Sequence, residues 1–418
     1  MAKKKTKAAA PEAPKTTAKK AGAKKATAKK APAQEAPEPP PADDDGGHLR
    51  RPAEERDALQ LAALAQDDPD TPPAGWRLSP RAVFRYVVGG ETLALTVDGE
   101  AREVEITRKF FGDAVMVENA IVTLASERAL LLVGDPGTGK SWLSEHLAAA
   151  ISGDSTLTIQ GTAGTSEEHI KYSWNIARVI AEGQHRDTMI PSPTMVAMQR
   201  GAILRFEELT RCLPDVQDAL VSILSDKAVA VPELPGDNMV WARPGFNVIA
   251  TANSRDQGVN ELSAALKRRF NYVHIPLVAD AATEVAIVRE RSEQLLRRYR
   301  IPTRMSKGVL ELLTTAFREI RSGESKDGVK LNKPSTTLST AEAIAVAVDA
   351  TLHARYFGNG EVAAAGVARH MIGSVIKASE DDRAALKEYV SLVAKRRAAK
   401  SALWREFHDT SQTELQKK

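Results

Sequence analysis

The residues of clearest chemical purpose begin at Ala129. The run Ala129-Leu-Leu-Leu-Val-Gly134-Asp135-Pro136-Gly137-Thr138-Gly139-Lys140-Ser141 has the spacing G-x-x-x-x-G-K-[ST]. Glycines so placed let backbone N–H groups wrap a phosphate at a helix N-terminus. Lys140 would reach the β- and γ-phosphates, and the Ser141 hydroxyl would ligate Mg2+. Further on, Ile203-Leu-Arg-Phe-Glu207-Glu208 reads as a strand ending in two carboxylates. Glu207 would hold Mg2+ through water and Glu208 would polarise the attacking water. Phe246-Asn-Val-Ile-Ala-Thr-Ala-Asn253 is another buried strand, ending in an amide able to hold that water or the γ-phosphate. Arg268 and Arg269 precede a strand over Tyr272–Ile275. Arginine suits phosphate charge that must be neutralised from a neighbouring subunit, and the plainer reading of the pair is a surface basic patch. The chemistry this set describes is hydrolysis of ATP with Mg2+.

Such residues need a frame. The glycine run follows an apolar strand and precedes an apolar-periodic helix, Trp142–Ile151. From Gly112 short apolar strands alternate with helical patterns, which predicts an α/β domain with a parallel sheet over residues 112–278. Beyond Val278 strand signals stop. Helical runs at 281–299, 306–321, 338–357, 361–377 and 381–407 predict an all-α region over 279–418. Residues 76–111 read as a small β appendage: Val83–Val88 is β-rich, and two further strands flank the Asp98-Gly99 turn. Residues 48–75 read as a linker with one short helix over Ala53–Ala65.

Composition narrows the classes. The chain has 418 residues, one cysteine (Cys212) and eight scattered histidines. That excludes a disulfide framework and disfavours a zinc enzyme. No run is long and apolar enough to span a membrane, so the expectation is a cytoplasmic protein without a membrane partner. Residues 1–47 hold eleven lysines and six acids, whereas the rest of the chain holds 47 basic and 48 acidic residues. This Lys/Ala/Pro-rich tail has too little apolar surface to offset its ordering entropy and reads as disordered. Its charge suits weak nucleic-acid binding or merely solubility.

In combination these motifs resemble an AAA+ ATPase of the MoxR family, over about residues 112–360. Residues 195–225 and Asn253-Ser-Arg-Asp-Gln-Gly-Val-Asn-Glu-Leu-Ser carry the likeness most closely. The resemblance implies an AAA+ P-loop core with a helical lid. It assigns Gly134–Ser141 as Walker A, Glu207 and Glu208 as Walker B, and Asn253 as sensor 1. Arg269 becomes the arginine finger reaching the next subunit, with Arg268 and Arg211 as secondary interface contacts. It further implies a ring, expected as a hexamer, that remodels or matures a client protein, often beside a von Willebrand factor A domain protein. Lys171–Pro193 and the hairpin Ala228–Trp241 fit the family's two substrate-touching insertions; by themselves they are a polar insertion and a hairpin.

Two positions depart from the family pattern. Glu207 stands where aspartate is usual, and Ala341 stands where a lid helix normally brings the sensor 2 arginine. Either Lys333 substitutes or the lid couples weakly to the γ-phosphate, and both point to slow turnover. Two other functions compete: a nucleic-acid-associated ATPase anchored by residues 1–47, and a slow nucleotide-gated scaffold. The basic run Lys395–Lys400 and the pair Trp404 and Phe407 read as a packed helical face.

Overall fold

A computed structural model describes residues 50–126, 128–236, 238–253, 260–301, 305–335, 337–377 and 379–417. The tail 1–47 lies outside the described residues, as does 254–259 of the motif beginning at Asn253. Helices Ala53–Arg56 and Ala58–Asp67 come first. The expected strand at Val83–Val88 is instead part of a helix, Pro80–Val88. Ser79 caps it, its Oγ accepting from the Ala82 N–H at 3.2 Å, and Pro80 opens the first turn. Buried Ala82, Val83, Tyr86 and Val87 recur at helical spacing, so capping and period outweigh β-branched propensity. Strands β1 (Glu91–Val97) and β2 (Glu100–Ile106) then form the expected antiparallel hairpin around Asp98 and Gly99. Leu95, Val104 and Ile106 join the same hydrophobic cluster as Leu130, Leu132 and Leu147. Residues 76–111 are therefore a helix and hairpin built into the central core rather than a β appendage.

The remaining strands are β3 (Ala129–Gly134), β4 (Thr158–Gln160), β5 (Tyr172–Trp174), β6 (Met189–Pro191), β7 (Ile203–Glu207), β8 (Ala228–Ala230), β9 (Met239–Trp241), β10 (Asn247–Asn253) and β11 (Phe270–Ile275). Five make one parallel sheet in the order β11-β3-β10-β7-β4. Alternation decides which face each residue serves. On β3, Leu130 and Leu132 enter one core while Ala129 and Leu131 enter the other. On β7, Ile203 enters the first, whereas Leu204 and Phe206 enter the second. A sheet covered on both faces accounts for the continuous apolar runs. The 171–193 insertion is an antiparallel pair, β5 with β6, enclosing a short helix Ile176–Glu182. The second insertion is the hairpin β8–β9.

After β11 the described chain is helical: Ala281–Arg298, Lys307–Ser322, Thr340–Phe357, Ala364–Val375, Glu380–Tyr389, Lys395–Ala398 and Ala402–Gln416. The run expected over 381–407 is broken, passing through a π-helical stretch, Val390–Ala394, and ending at Ala398 before the last helix begins. These helices share their own core, centred on Phe317, Tyr389 and Phe407. Trp404 packs edge-on to Phe407 with ring centroids 5.6 Å apart, the packed face expected there. Glu284, fully buried, ties three of the helices together. It accepts from Arg318, Arg321 and Thr340 at 2.8–3.0 Å. No described helix is long and apolar enough to cross a membrane.

Candidate active site

The loop Gly134–Gly139 leaves the C-terminal end of β3 and enters helix Lys140–Ser152. Gly137 and Gly139 have φ of +74° and +89°, which only glycine adopts without strain. At Gly134 the limit is space, since a Cβ there would lie 2.4 Å from the Ile275 carbonyl oxygen. Lys140 is buried and folds over the loop, its Nζ donating to the Gly134 and Asp135 carbonyls at 3.0 and 2.8 Å. Thr138 Oγ1 closes the turn on the Asp135 carbonyl at 2.9 Å. Pro136 lies within this turn. Phe110, from the segment after β2, would be 3.5 Å from a Cβ on Gly139. This cradle fits a nucleotide's phosphates.

Glu207, at the end of β7, is buried among four donors. Oε2 accepts from Ser141 Oγ at 2.6 Å and Thr251 Oγ1 at 2.8 Å. Oε1 accepts from Ser144 Oγ at 2.7 Å and Arg205 Nη2 at 2.8 Å. Burial pushes its pKa up, but the Ser141 hydroxyl, the Arg205 charge and the other hydroxyls outweigh that and hold it below the ordinary carboxylate range. A hydroxyl and an ionised carboxylate in contact are hard oxygen donors of the kind Mg2+ takes alongside substrate phosphates. The residues present therefore fit that ion.

Glu208 follows with φ +54°, a left-handed conformation that costs on the order of 1–3 kcal/mol for a side chain of this kind. Its N–H donates to Thr251 Oγ1 at 2.9 Å, so one threonine on β10 steadies both glutamates. Gly161 is required opposite, because a Cβ there would lie 2.5 Å from the Glu208 carbonyl oxygen. The Glu208 carboxylate forms an ion pair with Arg211 of its own chain. Asn253 ends β10 directly opposite Gly134 in the register, at the rim of the phosphate loop. Arg269 and Arg268 sit elsewhere. Arg269 donates to Ser225 Oγ and to the Ala265 carbonyl, the latter at 2.6 Å. Its backbone oxygen accepts from the Ala129 N–H, at the start of β3. The Phe270↔Ala129 and Ile275↔Gly134 register puts the Arg269 backbone a strand's length, ~16 Å, from the loop.

The lid meets the site through helix Thr340–Phe357. A Cβ on Gly137 would lie 2.3 Å from Ser339 Cβ and 3.4 Å from Ala341 Cβ, so the start of this helix rests on the phosphate loop. Glu342 already caps it, accepting from the Ser339 N–H at 2.7 Å and pairing with Lys377. Lys333 does not take the place of the missing arginine; its side chain lies against Gly323. Arg318 and Arg321 are engaged by Glu284.

Sequence reasoning missed Arg205, Ser144 and Thr251. Each had a signal: Arg205 lies two residues before Glu207 on the same strand face, Ser144 three after Ser141 on a helix, and Thr251 two before Asn253. It also missed Trp142, whose ring is stacked by Arg291 of the lid (guanidinium carbon 4.2 Å from the centroid) and by Arg56 (5.0 Å). The Lys109 carbonyl accepts from both Trp142 Nε1 and Arg291 Nη2 at 2.8 Å.

Two family descriptions match the chain: the AAA domain of the dynein-related subfamily over residues 129–270, and the YehL-like AAA+ ATPase C-terminal domain over residues 282–414. YehL of Escherichia coli (strain K12) is 43% identical over 345 residues, spanning 82% of this chain and 92% of its own. Gas vesicle ATPase GvpN2 of Halobacterium salinarum is 30% identical over 185 residues, 41% of this chain and 53% of its own. Among solved structures, NtrX from Brucella abortus in complex with ADP aligns with 73% of this chain and 68% of its own, at 14% identity and a TM-score of 0.41.

Proposed function

The chain belongs to the YehL family of AAA+ ATPases, and from that premise we propose that it is a MoxR-type, Mg2+-dependent ATPase that works as a cytoplasmic ring. Its cycle would remodel or mature a client protein, with a von Willebrand factor A domain protein as the expected associate. The carrying observation is the convergence of Ser141, Glu207, Glu208 and Thr251 below the Gly134–Gly139 loop. Bound Mg2+ would neutralise phosphate charge. Ser141 and Glu207 would hold it, Lys140 would turn from the loop carbonyls to the phosphates, and Asn253 would orient water at the rim. Glu208, released from Arg211, would accept a proton from that water as its oxygen attacks the γ-phosphorus and the bond to the β-phosphate bridge oxygen breaks. Arg269, held a strand's length from its own loop, would complete a neighbour's site. GvpN2, named an ATPase, supports the activity.

The test is ATP turnover across protein concentration for the wild type, Glu208→Gln and Arg269→Ala. Specific activity should rise with concentration, each variant should lose it, and mixing the two should restore part of it. Turnover independent of concentration, or no restoration, overturns the shared-site ring. A slower, nucleotide-gated scaffold is favoured by one feature, a lid that meets the loop with Ser339 and Ala341 rather than an arginine. Single-turnover hydrolysis far slower than nucleotide release would select it.

A further inference from the structure

Arg205 is the cation in a largely buried strand. Leu204 and Phe206 enter the core on one face, and Arg205 shares the other with Glu207. Its guanidinium is spread over the site: Nη2 donates to Glu207 Oε1 at 2.8 Å and to the Ser141 carbonyl at 3.1 Å, Nε to Ser144 Oγ at 3.0 Å, and Nη1 to the Ser155 carbonyl at 2.9 Å. The side chain is 11% exposed. By charge alone, a cation there weakens a site meant for Mg2+. Its presence needs another reason.

We propose that Arg205 is a positioning residue that pins Oε1 of Glu207, leaving Oε2 as the oxygen that works on the metal. The inference rests on reading Glu207 as the Mg2+-holding carboxylate. The donors divide unequally by role. Oε2 is held by Thr251 and by Ser141, and the Ser141 hydroxyl is the group a metal ion would take for itself. Oε1 is held by Ser144 and Arg205, neither of which the metal needs. When Ser141 turns away, Oε1 keeps both of its partners, while Oε2 keeps Thr251 alone and presents the vacated lone pair to the ion. Glutamate carries one more rotatable bond than the aspartate usual at this position, so its carboxylate is placed less firmly by the backbone. A rigid guanidinium fork anchored on two backbone carbonyls supplies the missing constraint. Arg205 and Glu207 thus act as a matched pair standing in for a single shorter acid.

The sign of one effect separates a pin from a mere charge. Full-length wild type, Arg205→Lys, Arg205→Met, Glu207→Asp and Arg205→Met/Glu207→Asp would be titrated with Mg2+ while binding of a fluorescent methylanthraniloyl-ATP is read. As for other partners that orient metal ligands, Arg205→Lys should raise half-saturating Mg2+ by ~10-fold or more, while nucleotide affinity in EDTA changes by less than about twofold. The double variant should bind Mg2+ better than Arg205→Met alone, because the shorter acid no longer needs the pin. Half-saturation that is unchanged or lowered in both single Arg205 variants, or additive losses in the double variant, overturns the proposal. Arg205→Lys keeps the charge and carries the test if Arg205→Met fails to fold by circular dichroism. A wild type whose nucleotide binding ignores Mg2+ would instead sink the reading of Glu207 itself.

Discussion

At the scale of single residues, burial holds titratable groups near the phosphate-loop helix in fixed states. His146 is one of them. It lies one helical turn beyond Trp142, 1% exposed, with Nδ1 2.8 Å from the Trp142 carbonyl and Nε2 3.6 Å from Asp57 Oδ2. Burial, helped by the charges of Lys109, Arg56 and Arg291, lowers its pKa well below 6.5. The folded state therefore holds the ring neutral where the unfolded chain would protonate it. Below the unfolded value the unfolded state binds the extra proton, so stability is lost as pH falls from about 6.5 toward the folded pKa, by up to ~1.4 kcal/mol per pH unit. Denaturant midpoints between pH 7.5 and 5 should fall for the wild type and fall less steeply for His146→Gln. Equal slopes would show that His146 titrates as it does in the unfolded chain.

At the scale of elements, the question is how the helical region tracks nucleotide at the loop. Among the described residues the connection includes Ser339 on Gly137, and Arg291 stacked on Trp142 while both donate to the Lys109 carbonyl. The second also gathers the N-terminal segment, since Arg56 covers the same indole and pairs with buried Glu145 at 2.9 Å. A cation–π contact of this kind contributes roughly 0.5–2 kcal/mol. Arg291→Ala should lower Tm by a few degrees and shift the Trp142 emission, with Trp142→Phe as the blank. It should also weaken nucleotide binding, because a hold of the lid on the loop region is gone. An unchanged nucleotide Kd would leave the stack a packing contact alone. The helix Pro80–Val88 belongs to this scale too, since its Tyr86 donates to Asp57 at 2.7 Å and helps seat the N-terminal helices.

For the whole molecule, the proposed ring rests on where the described chain places two groups. Its phosphate loop and its candidate finger Arg269 sit at opposite ends of the same parallel strands, so no small side-chain movement brings them together. The basic tail 1–47 is read from its sequence alone, which predicts only charge-driven contacts. Deleting it should leave Tm and basal ATP turnover unchanged. It should also abolish any salt-sensitive retention on a DNA or heparin column, in line with counterion release. Loss of turnover on deletion would give the tail a part in assembly that its composition does not suggest.

Local pattern determined much of this protein. The phosphate loop, the carboxylate pair, the amide strand and the helices after Val278 were legible because each is set by neighbours in sequence: glycines, caps, alternation and helical period. Val83–Val88 reads two ways, because β-branched residues speak for strands while Ser79, Pro80 and the 3.6-residue period speak for a helix, and only packing against the helices Ala114–Ala125 and Lys140–Ser152 decides between them. The hydrogen bonds that converge on Glu207 were only hinted at by residue spacing, for a different reason. Ser141, Ser144, Arg205 and Thr251 come from a helix and two strands, and a hydrogen bond depends on distances of a few ångströms that residue spacing does not specify. The same holds for Lys333, near Ala341 in sequence yet turned against Gly323, and for Arg211, which faces Glu208 of its own chain. Sequence carried the motifs of the proposed chemistry. Tertiary structure decided which side chains meet to perform it, because burial of the sheet's two faces fixes where every other residue points.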